Sequence, residues 1–391
     1  MQNTDELKAL CERARQVGRI GVDVEFIRER SYTPQLALVQ LSLEDQCVLI
    51  DPIASVDLTP LDEIVLDPEV CKVMHAPAQD LELFFYRTGK APHQVIDLQI
   101  AAAFLGLGNQ ISYQALVERV TGVTLNKGQT FTDWLQRPLS PSQEQYALDD
   151  VRYLLPCCDH LTEKLQERGR KSWAEEEYRR YENVDLYRED LSTLYRRVRR
   201  AGTLDSRGLA ILRELVAWRE EQAQEINRPR RRIMKDEILV ELARARPGDL
   251  GGLHNFRGLH PREVKRYGRD LLSIVRRGME VPEKECPPTN EHRGRLPREG
   301  EVLVEFLQAS LKALCQEAEV SPTLVANAAS LEKLVRQHLG RNVSQDELPI
   351  LSGWRRELVG ARLLSLLEGD LRIRIDQQSR VIFEETDTYA S

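Results

Sequence analysis

The sequence predicts an α/β domain at its N-terminus, with a mixed sheet flanked by helices, followed by two all-α helical domains. Three observations predict this arrangement. Strand-like and helix-like stretches alternate through about the first 165 residues, short stretches rich in Leu, Glu and Arg follow, and a segment rich in breakers at 281–297 divides them. A chain of 391 residues is also too long for one ordinary core.

The first strands are predicted from the spacing of apolar side chains. Residues 19–26 and part of 35–42 alternate apolar and polar side chains, and residues 47–50 form a short apolar run. Period-two alternation is typical of a strand with one buried face. Because short turns join the three stretches, we expect an antiparallel meander.

Two further strands are predicted to join the same sheet in parallel. Residues 72–75 and 95–97 are strand-like, and helical stretches at 79–86 and 99–105 follow them. Such alternation of strand and helix is typical of parallel additions to a sheet. Farther along the chain, the pattern of residues 145–155 predicts one helix.

The domain boundaries are predicted from changes in these patterns. Beyond residue 165 the next strand-like stretch is 371–375, so the C-terminal half is predicted to be helical. The predicted units are an α/β domain at 1–170, a connecting helix at 171–205, a helical domain at 206–282, a linker at 283–297, a second helical domain at 298–376 and a tail at 377–391.

Composition excludes several classes of protein. No apolar run approaches the roughly 20 residues that a membrane-spanning helix needs. The N-terminal residues are polar and acidic, whereas a secretory signal is basic and then apolar. None of the seven cysteines lies in a Cys-x-x-Cys pair or at zinc-site spacing. We therefore expect a cytoplasmic protein with reduced cysteines and no membrane partner.

The net charge of -7 is unevenly distributed along the chain. Residues 1–190 carry a net charge of -12, residues 191–300 carry +9 and residues 301–391 carry -4. The basic middle segment is compatible with phosphate binding. A solvated basic helix face is the alternative, and composition alone leaves both open.

Four carboxylates and a tyrosine are candidates for chemistry. Asp23 and Glu25 are two apart in a strand, so both project from one face of the sheet. Their repulsion is tolerated on an exposed surface or where cations lie between them. Asp80 stands where a strand ends and a helix begins, a position that acids favour without any site. Tyr146 and Asp150 share a helix face, which alone is an ordinary contact.

Together these segments resemble the tyrosine subclass of the DEDD exonuclease superfamily, and within it the ribonuclease D family. The resemblance covers the α/β domain almost end to end. It rests on four motifs, which are Asp23-x-Glu25-Phe26 with Tyr32-x-Pro34-Gln35-Leu36 and Val39-Gln40-Leu41, His75-x-x-x-x-Asp80-Leu81-Glu82, Lys127-x-x-x-x-Thr132-Asp133-Trp134, and Tyr146-Ala147-x-x-Asp150-Val151-x-Tyr153-Leu154-Leu155.

The resemblance implies a ribonuclease H-like fold and a role for each residue. Two divalent cations, Mg²⁺ or Mn²⁺, are expected on the four acids, and Tyr146 is expected to orient the attacking water. Hard oxygen ligands suit these cations. Substrate contacts are expected at Phe26, His75 and Lys127. The family usually has Thr where this chain has Val24, and no histidine stands four or five residues before Asp150, which excludes the sister subclass.

The helical half carries a second resemblance. Residues 206–280, with Trp218-Arg219 and Asn227-Arg228-Pro229, resemble the helicase-and-RNase-D C-terminal (HRDC) domain, a bundle of short helices that contacts nucleic acid. Arg230, Arg231 and Arg232 are expected to contact phosphates there. Residues 298–375 resemble a second, more divergent HRDC domain. Because this region is acidic, we expect it to pack against the catalytic domain.

The resemblance implies a metal-dependent 3′→5′ exoribonuclease that releases nucleoside 5′-monophosphates by two-metal-ion hydrolysis. The expected substrates are structured RNA precursors such as tRNA, matured at their 3′ ends by a monomeric enzyme. A single-strand DNA 3′→5′ exonuclease remains an alternative, because no motif contacts a 2′-hydroxyl. A non-catalytic RNA-binding protein is the third hypothesis.

Overall fold

The computed structural model describes residues 1, 3–54, 56–108, 110–126, 132–254, 256–289, 296–340 and 348–386. Its N-terminal domain contains a five-stranded mixed sheet, as the sequence predicts. The strand order is β3-β2-β1-β4-β5, in which β1, β2 and β3 are antiparallel and β4 and β5 run parallel to β1. The strands are β1 (Arg19–Ile27), β2 (Gln35–Leu43), β3 (Gln46–Ile50), β4 (Cys71–Met74) and β5 (Val95–Asp97).

Helices flank this sheet and bury its apolar side chains. Leu7 of the first helix and Leu61 of the second are fully buried, and they belong to one core with Ile20 and Val22 of β1. The helices are α1 (Thr4–Val17), α2 (Thr59–Leu66), α3 (Ala78–Thr88), α4 (Leu98–Phe104), α5 (Tyr113–Thr121), α6 (Pro141–Arg152) and α7 (Leu154–Glu167).

The prediction of a single helix at 145–155 is wrong, because the helix is interrupted at Tyr153, between α6 and α7. The Tyr113 hydroxyl donates to the carbonyl oxygen of Asp149 at 3.2 Å and accepts from the backbone N–H of Tyr153 at 3.2 Å. A side chain inserted into the backbone ladder is a recognised cause of a helix kink. Tyr113 comes from α5, so the local pattern could not reveal the break.

The prediction that residues 171–205 form one connecting helix is also wrong. After α8 (Lys171–Tyr178) the chain makes short 3₁₀ turns, interrupted by α9 (Leu191–Leu194). Asn183 and Asp190 accept hydrogen bonds from backbone N–H groups two residues ahead. Asn and Asp compete in this way with helical hydrogen bonds, and each starts a new turn here.

The first helical domain has a core of its own. Its two long helices, α10 and α14, cross so closely that a Cβ at Gly278 would lie 2.6 Å from the Cα of Ile211. Trp218 and Tyr267 pack edge to face between them, with ring centroids 5.2 Å apart. The helices are α10 (Ser206–Glu225), α11 (Arg230–Ile233), α12 (Asp236–Ala245), α13 (Leu250–His254) and α14 (Pro261–Glu280).

The last region is helical and ends in a β-hairpin. Residues 381–385 pair with the predicted strand at 371–375, so the prediction that everything after 376 is a tail is wrong. The helices are α15 (Arg298–Glu317), α16 (Pro322–Val325), α17 (Ala328–His338), α18 (Gly353–Arg355) and α19 (Ala361–Glu368), with a π turn at Arg356–Gly360, and the strands are β6 (Leu371–Ile375) and β7 (Val381–Glu385).

This region packs against the α/β domain, as its acidic composition predicts, and the two share one core. Glu177 is buried at their contact, where it accepts from the indole N–H of Trp354 at 3.0 Å and from both terminal nitrogens of Arg355 at 2.6 and 3.0 Å. The Arg170 guanidinium donates to the carbonyl oxygen of Phe104 at 2.7 Å and to that of Ala318. Backbone carbonyls and one buried carboxylate therefore fix the position of this region.

Two features of composition reappear in the structure. All seven cysteines lie in described residues and are free thiols. Among the residues that the structure describes, every helix is too short or too polar to span a membrane. The boundaries of the predicted domains remain a prediction, apart from the corrections above.

We predict that Arg355→Met lowers the free energy of unfolding by about 3 kcal/mol, because it leaves the buried carboxylate of Glu177 without its ionic partner. Urea titration measures the change. Arg13→Met is the matched control, since the Arg13–Asp45 pair is exposed, and its effect should be much smaller. Equal losses in the two variants would contradict a structural role for the buried pair.

Candidate active site

The central acids project from the middle of the sheet. Asp23 and Glu25 lie on one face of β1, while Val22 and Val24 are buried on the other. Helix α6 lies across β1, β2 and β3 on the face of the acids and brings Asp150 to them. One carboxylate oxygen from each of Asp23, Glu25 and Asp150 lies within 4.8 Å of the others. The spacing of these atoms matches a cluster that could hold a metal ion.

Local sequence explains why α6 presents Asp150 there. The Ser140 hydroxyl accepts a hydrogen bond from the backbone N–H of Gln143, and the side-chain oxygen of Gln143 accepts one from the backbone N–H of Ser140. This capping box fixes the first turn of the helix. Ala147 and Val151 are fully buried on the inner face of the helix. Asp150 lies between them in sequence, at the edge of that buried face.

Asp80 is the fourth acid and comes from the first turn of α3. It is outside the group of three carboxylates that lie within 4.8 Å of one another. Burial, and then the charges of Asp23 and Glu25, raise the pKa of Asp80 well above its usual value, while Arg28 opposes the shift. Asp80 is therefore close enough to interact with the other acids, and the four segments meet in one region.

Burial and, for Glu25 and Asp150, the charges of neighbouring acids raise the pKa values of the carboxyl groups. Burial raises the pKa of Asp23 to about 7, and burial followed by the charge of Asp23 raises the pKa of Glu25 to about 8. Burial, Asp23 and Glu25 together raise the pKa of Asp150 to about 9. Carboxylates placed this way favour protons or cations between them. Only oxygen ligands are present, which suits hard divalent cations.

Tyr146 stands beside the acids, where the sequence predicts it. Its hydroxyl donates to the Asp150 carboxylate, and burial, followed by the charge of Asp150, raises its pKa, so the phenol stays protonated at neutral pH. The ring packs at 6.0 Å from the ring of Trp134. Gln143 donates to the Thr132 hydroxyl at 2.9 Å and ties the Thr132-Asp133-Trp134 stretch to α6.

Two further residues lie near the site, and sequence reasoning gave neither of them a role, although Gln40 is part of the first motif. Gln40 is fully buried on β2 directly opposite Asp23, and its amide has no hydrogen-bond partner among the described residues. A lone amide inside an apolar strand was the available signal. Tyr113 holds the end of α6 through the hydroxyl contacts described above, and no local pattern marks it.

The predicted substrate contacts have different outcomes. Phe26 follows Glu25 on β1 and is partly buried, with the guanidinium of Arg28 at 5.4 Å from its ring centroid. The Nε2 of His75 lies 3.0 Å from the carbonyl oxygen of Ile111, and burial lowers its pKa. That nitrogen must donate to the carbonyl, so it is already engaged. Lys127 lies outside the described residues.

The three arginines predicted to contact phosphates differ in their surroundings. Arg230 pairs with Glu189 at 3.0 Å and with the fully buried Glu220 at 3.2 Å. This pairing fixes Arg230 within the protein, which the sequence did not predict. Arg231 and Arg232 are exposed.

We predict that Asp23→Asn raises the melting temperature of the metal-free protein at pH 8 by a few degrees. The folded-state pKa of about 7 lies above the usual value near 4, so ionised Asp23 destabilises the fold increasingly as pH rises through that interval. Thermal unfolding in EDTA at pH 5.5 and pH 8 measures the effect, which should be clearly smaller at the lower pH because Asp23 is then protonated in the folded state. Asp149→Asn, one residue from Asp150, should not stabilise, and equal behaviour of the two variants would contradict the account.

Comparisons with known proteins identify relatives of both the N-terminal domain and the first helical domain. The 3′-5′ exonuclease family profile matches residues 1–166, and the HRDC domain profile matches residues 208–275. Ribonuclease D of Gluconacetobacter diazotrophicus is 37% identical over 376 residues, which cover 95% of this chain and 93% of that protein. Ribonuclease D of Jannaschia sp. is also 37% identical, with 97% of this chain and 98% of that protein covered.

A solved structure extends the likeness to three dimensions. The crystal structure of Escherichia coli RNase D, an exoribonuclease involved in structured RNA processing, has a TM-score of 0.83 and 32% identity, and the match covers 94% of this chain and 98% of that one. With relatives at this identity along nearly its whole length, the chain belongs to the ribonuclease D family of 3′→5′ exoribonucleases.

Proposed function

We propose that Asp23, Glu25, Asp80 and Asp150 hold two divalent cations, Mg²⁺ or Mn²⁺, at which the 3′-terminal phosphodiester of an RNA is hydrolysed. The observation that carries this proposal is the cluster of three carboxylates within 4.8 Å, on one sheet face. When bound, such cations lower the pKa of the attacking water and neutralise charge at the phosphate. The raised pKa values of the acids support the proposal, because bound cations offset the burial and the repulsion between carboxylates that raise them.

The products follow from the direction of attack. Water attacks the phosphorus atom, the bond from phosphorus to the 3′-oxygen breaks, and the phosphate stays on the 5′ side of the released nucleotide. The chain therefore releases nucleoside 5′-monophosphates. Tyr146 donates to Asp150 and stays protonated, so its hydroxyl can orient the water beside the acids. Phe26, His75 and Lys127 remain our candidates for contacts to the terminal nucleotide.

The substrate is proposed to be a structured RNA, such as a precursor of tRNA that requires 3′ trimming. The Escherichia coli relative is described as acting in structured RNA processing. An N-terminal half with a net charge of -12 repels a polyanion, so binding needs the basic segment 191–300, which includes the HRDC domain. We further propose that residues 298–376 form a divergent HRDC domain, and that the protein acts as a monomer in the cytoplasm.

We predict that Asp23→Asn abolishes exonuclease activity without loss of folding, because it removes one ligand charge and little packing volume. The assay uses 5′-labelled RNA and DNA of equal sequence, each with Mg²⁺, Mn²⁺ or EDTA. Asp149→Asn is the control and should stay active, since that side chain bonds Gln145 and Arg152. Cleavage by Asp23→Asn near the wild-type rate would refute the metal assignment, and cleavage of DNA alone would favour the DNA exonuclease.

We predict that Tyr146→Phe lowers kcat by about 100-fold and leaves KM nearly unchanged, because only the hydroxyl that orients water is lost. Steady-state kinetics at saturating single-stranded RNA separate the two constants. The ring contact with Trp134 is retained in the variant, so a folding defect is not expected. A variant that binds RNA poorly but turns over normally at saturation would make Tyr146 a docking residue instead.

A further inference from the structure

A cavity of about 500 Å³ lies between the loop that follows β1 and the first helical domain. Glu29 and Arg30 line one side of the cavity, and both follow β1 directly in sequence. Arg228, Arg232 and Arg266 line the other side, together with other residues of the helical domain. The cavity is therefore shared by the domain that carries the acids and the domain that carries the basic charge.

The charges on the cavity wall are unbalanced. Arg30, Arg228, Arg232 and Arg266 face a single acid, Glu29. Within the part of the chain that the structure describes, none of these four arginines has a carboxylate within 4.0 Å. Many other arginines are paired, as in the bond of 2.6 Å from Arg219 to Asp236. Guanidinium groups gathered without partners around a concave surface favour an anion between them.

The two sides of the cavity are held in a fixed relation. The Asn227 side-chain oxygen accepts from the backbone N–H groups of Tyr32 and Thr33 at 3.0 and 3.1 Å. Gln224 donates to the Tyr32 hydroxyl at 2.9 Å. Asn227 has a φ of +46°, in the left-handed region that Asn tolerates better than most residues. The turn that carries Arg228 is thus bonded to the loop that carries Arg30.

Neighbouring side chains also hold in place the two helices that carry Arg232 and Arg266. The guanidinium of Arg266 lies 5.0 Å from the ring centroid of Tyr267, and Tyr267 is itself buried against Trp218. Arg230, at the start of the short helix that carries Arg232, is anchored by Glu189 and Glu220. The cationic groups are therefore presented from a rigid surface, which lowers the ordering cost of binding an anion.

The cavity must lie close to the acids because the chain connects them. Arg30 is the fifth residue after Glu25, so their Cα atoms are at most about 18 Å apart. An RNA whose 3′ end is at Asp23 and Glu25 can place a backbone phosphate a few nucleotides upstream at this distance. Guanidinium groups match phosphate oxygens in geometry and do not read base sequence.

We propose that this cavity binds phosphodiester groups of the RNA strand upstream of the 3′ end under cleavage. The identity of the strand rests on the proposed function above, whereas the affinity for phosphate rests on the cavity itself. The cavity would hold the strand next to an acidic domain that otherwise repels it. The proposal gives different roles to two of the arginines that the sequence predicted to contact phosphates. Arg232 lines the cavity, whereas Arg230 is paired within the protein.

The test compares two double variants of the full chain with equal loss of charge. Arg232→Gln with Arg266→Gln removes two cavity arginines. Arg269→Gln with Arg276→Gln removes two exposed arginines of α14, the helix that also carries Arg266, and neither of them lines the cavity. Arg30→Gln probes the opposite side of the cavity. None of these arginines has an ion-pair partner among the described residues, so thermal unfolding of the variants should match the wild type.

Fluorescence anisotropy in EDTA measures binding of a trinucleotide and of a longer single strand with the same 3′ sequence, without catalysis. The cavity double variant should bind the longer strand about tenfold more weakly, with a salt slope reduced by about 1.4, or about 0.7 per lost phosphate contact. Arg30→Gln should weaken binding in the same direction. The trinucleotide should bind all variants alike, and the control double variant should resemble the wild type.

Three outcomes separate this inference from its alternatives. If the two double variants bind the longer strand equally, the inference is wrong even when the wild type degrades RNA. If inorganic phosphate stabilises the wild type but not the cavity variant, while their RNA affinities agree, the cavity binds a free anion and the RNA assignment is wrong. If the cavity variant alone loses RNA affinity and the wild type fails to hydrolyse RNA with any metal, the proposed function fails and the phosphodiester site stands.

Discussion

The carboxylates of Asp23, Glu25 and Asp150 are held closer together than their mutual repulsion favours, and the rest of the α/β domain supplies the constraint. The middle of the sheet fixes Asp23 and Glu25, since Val22 and Val24 are packed in the core on the opposite face. Helix α6 brings Asp150 against them. Burial of apolar side chains thus maintains a site that is unfavourable without bound cations or protons.

The constraint on Asp150 extends beyond its own helix. Tyr113 of α5 bonds the backbone at both Asp149 and Tyr153, so α6 ends there and α7 begins in a new direction. Gln143, at the other end of α6, connects the helix to the Thr132-Asp133-Trp134 stretch and hence to the ring of Tyr146. The position of the acid and the position of the tyrosine therefore depend on the same helix. This coupling explains why the two residues occur as one motif.

Charge is divided between the domains in a way that suits a polyanionic substrate. The acids stand in the negatively charged N-terminal half, while the basic segment follows it in the chain and docks on the loop after β1. Arg230 is paired with Glu189 and Glu220, so net positive charge alone overstates how many arginines can contact RNA. Three arginines of the basic segment without a carboxylate partner among the described residues, Arg228, Arg232 and Arg266, line the shared cavity.

The resemblance to the exonuclease family placed the four acids and Tyr146 in one site, whereas sequence patterns predicted the five-stranded mixed sheet, because strand periodicity is a local property. They did not predict the break at Tyr153, which depends on a hydroxyl from α5. Sequence patterns also missed the strand at 381–385, which pairs with residues 371–375 in a hairpin. Such a short strand lacks the long amphipathic pattern by which larger elements are predicted. The pairing of Arg230 with Glu189 joins residues 41 apart and follows only from the tertiary fold.

The central claim is that the four acids hold a pair of divalent cations. Anomalous scattering from crystals of the full chain soaked in Mn²⁺ at pH 8 tests it most directly, because the metal is located without reference to activity. The account predicts two anomalous peaks, with protein ligands drawn from Asp23, Glu25, Asp80 and Asp150. Peaks at other carboxylates, or ordered acids with no anomalous density beside them, would contradict it.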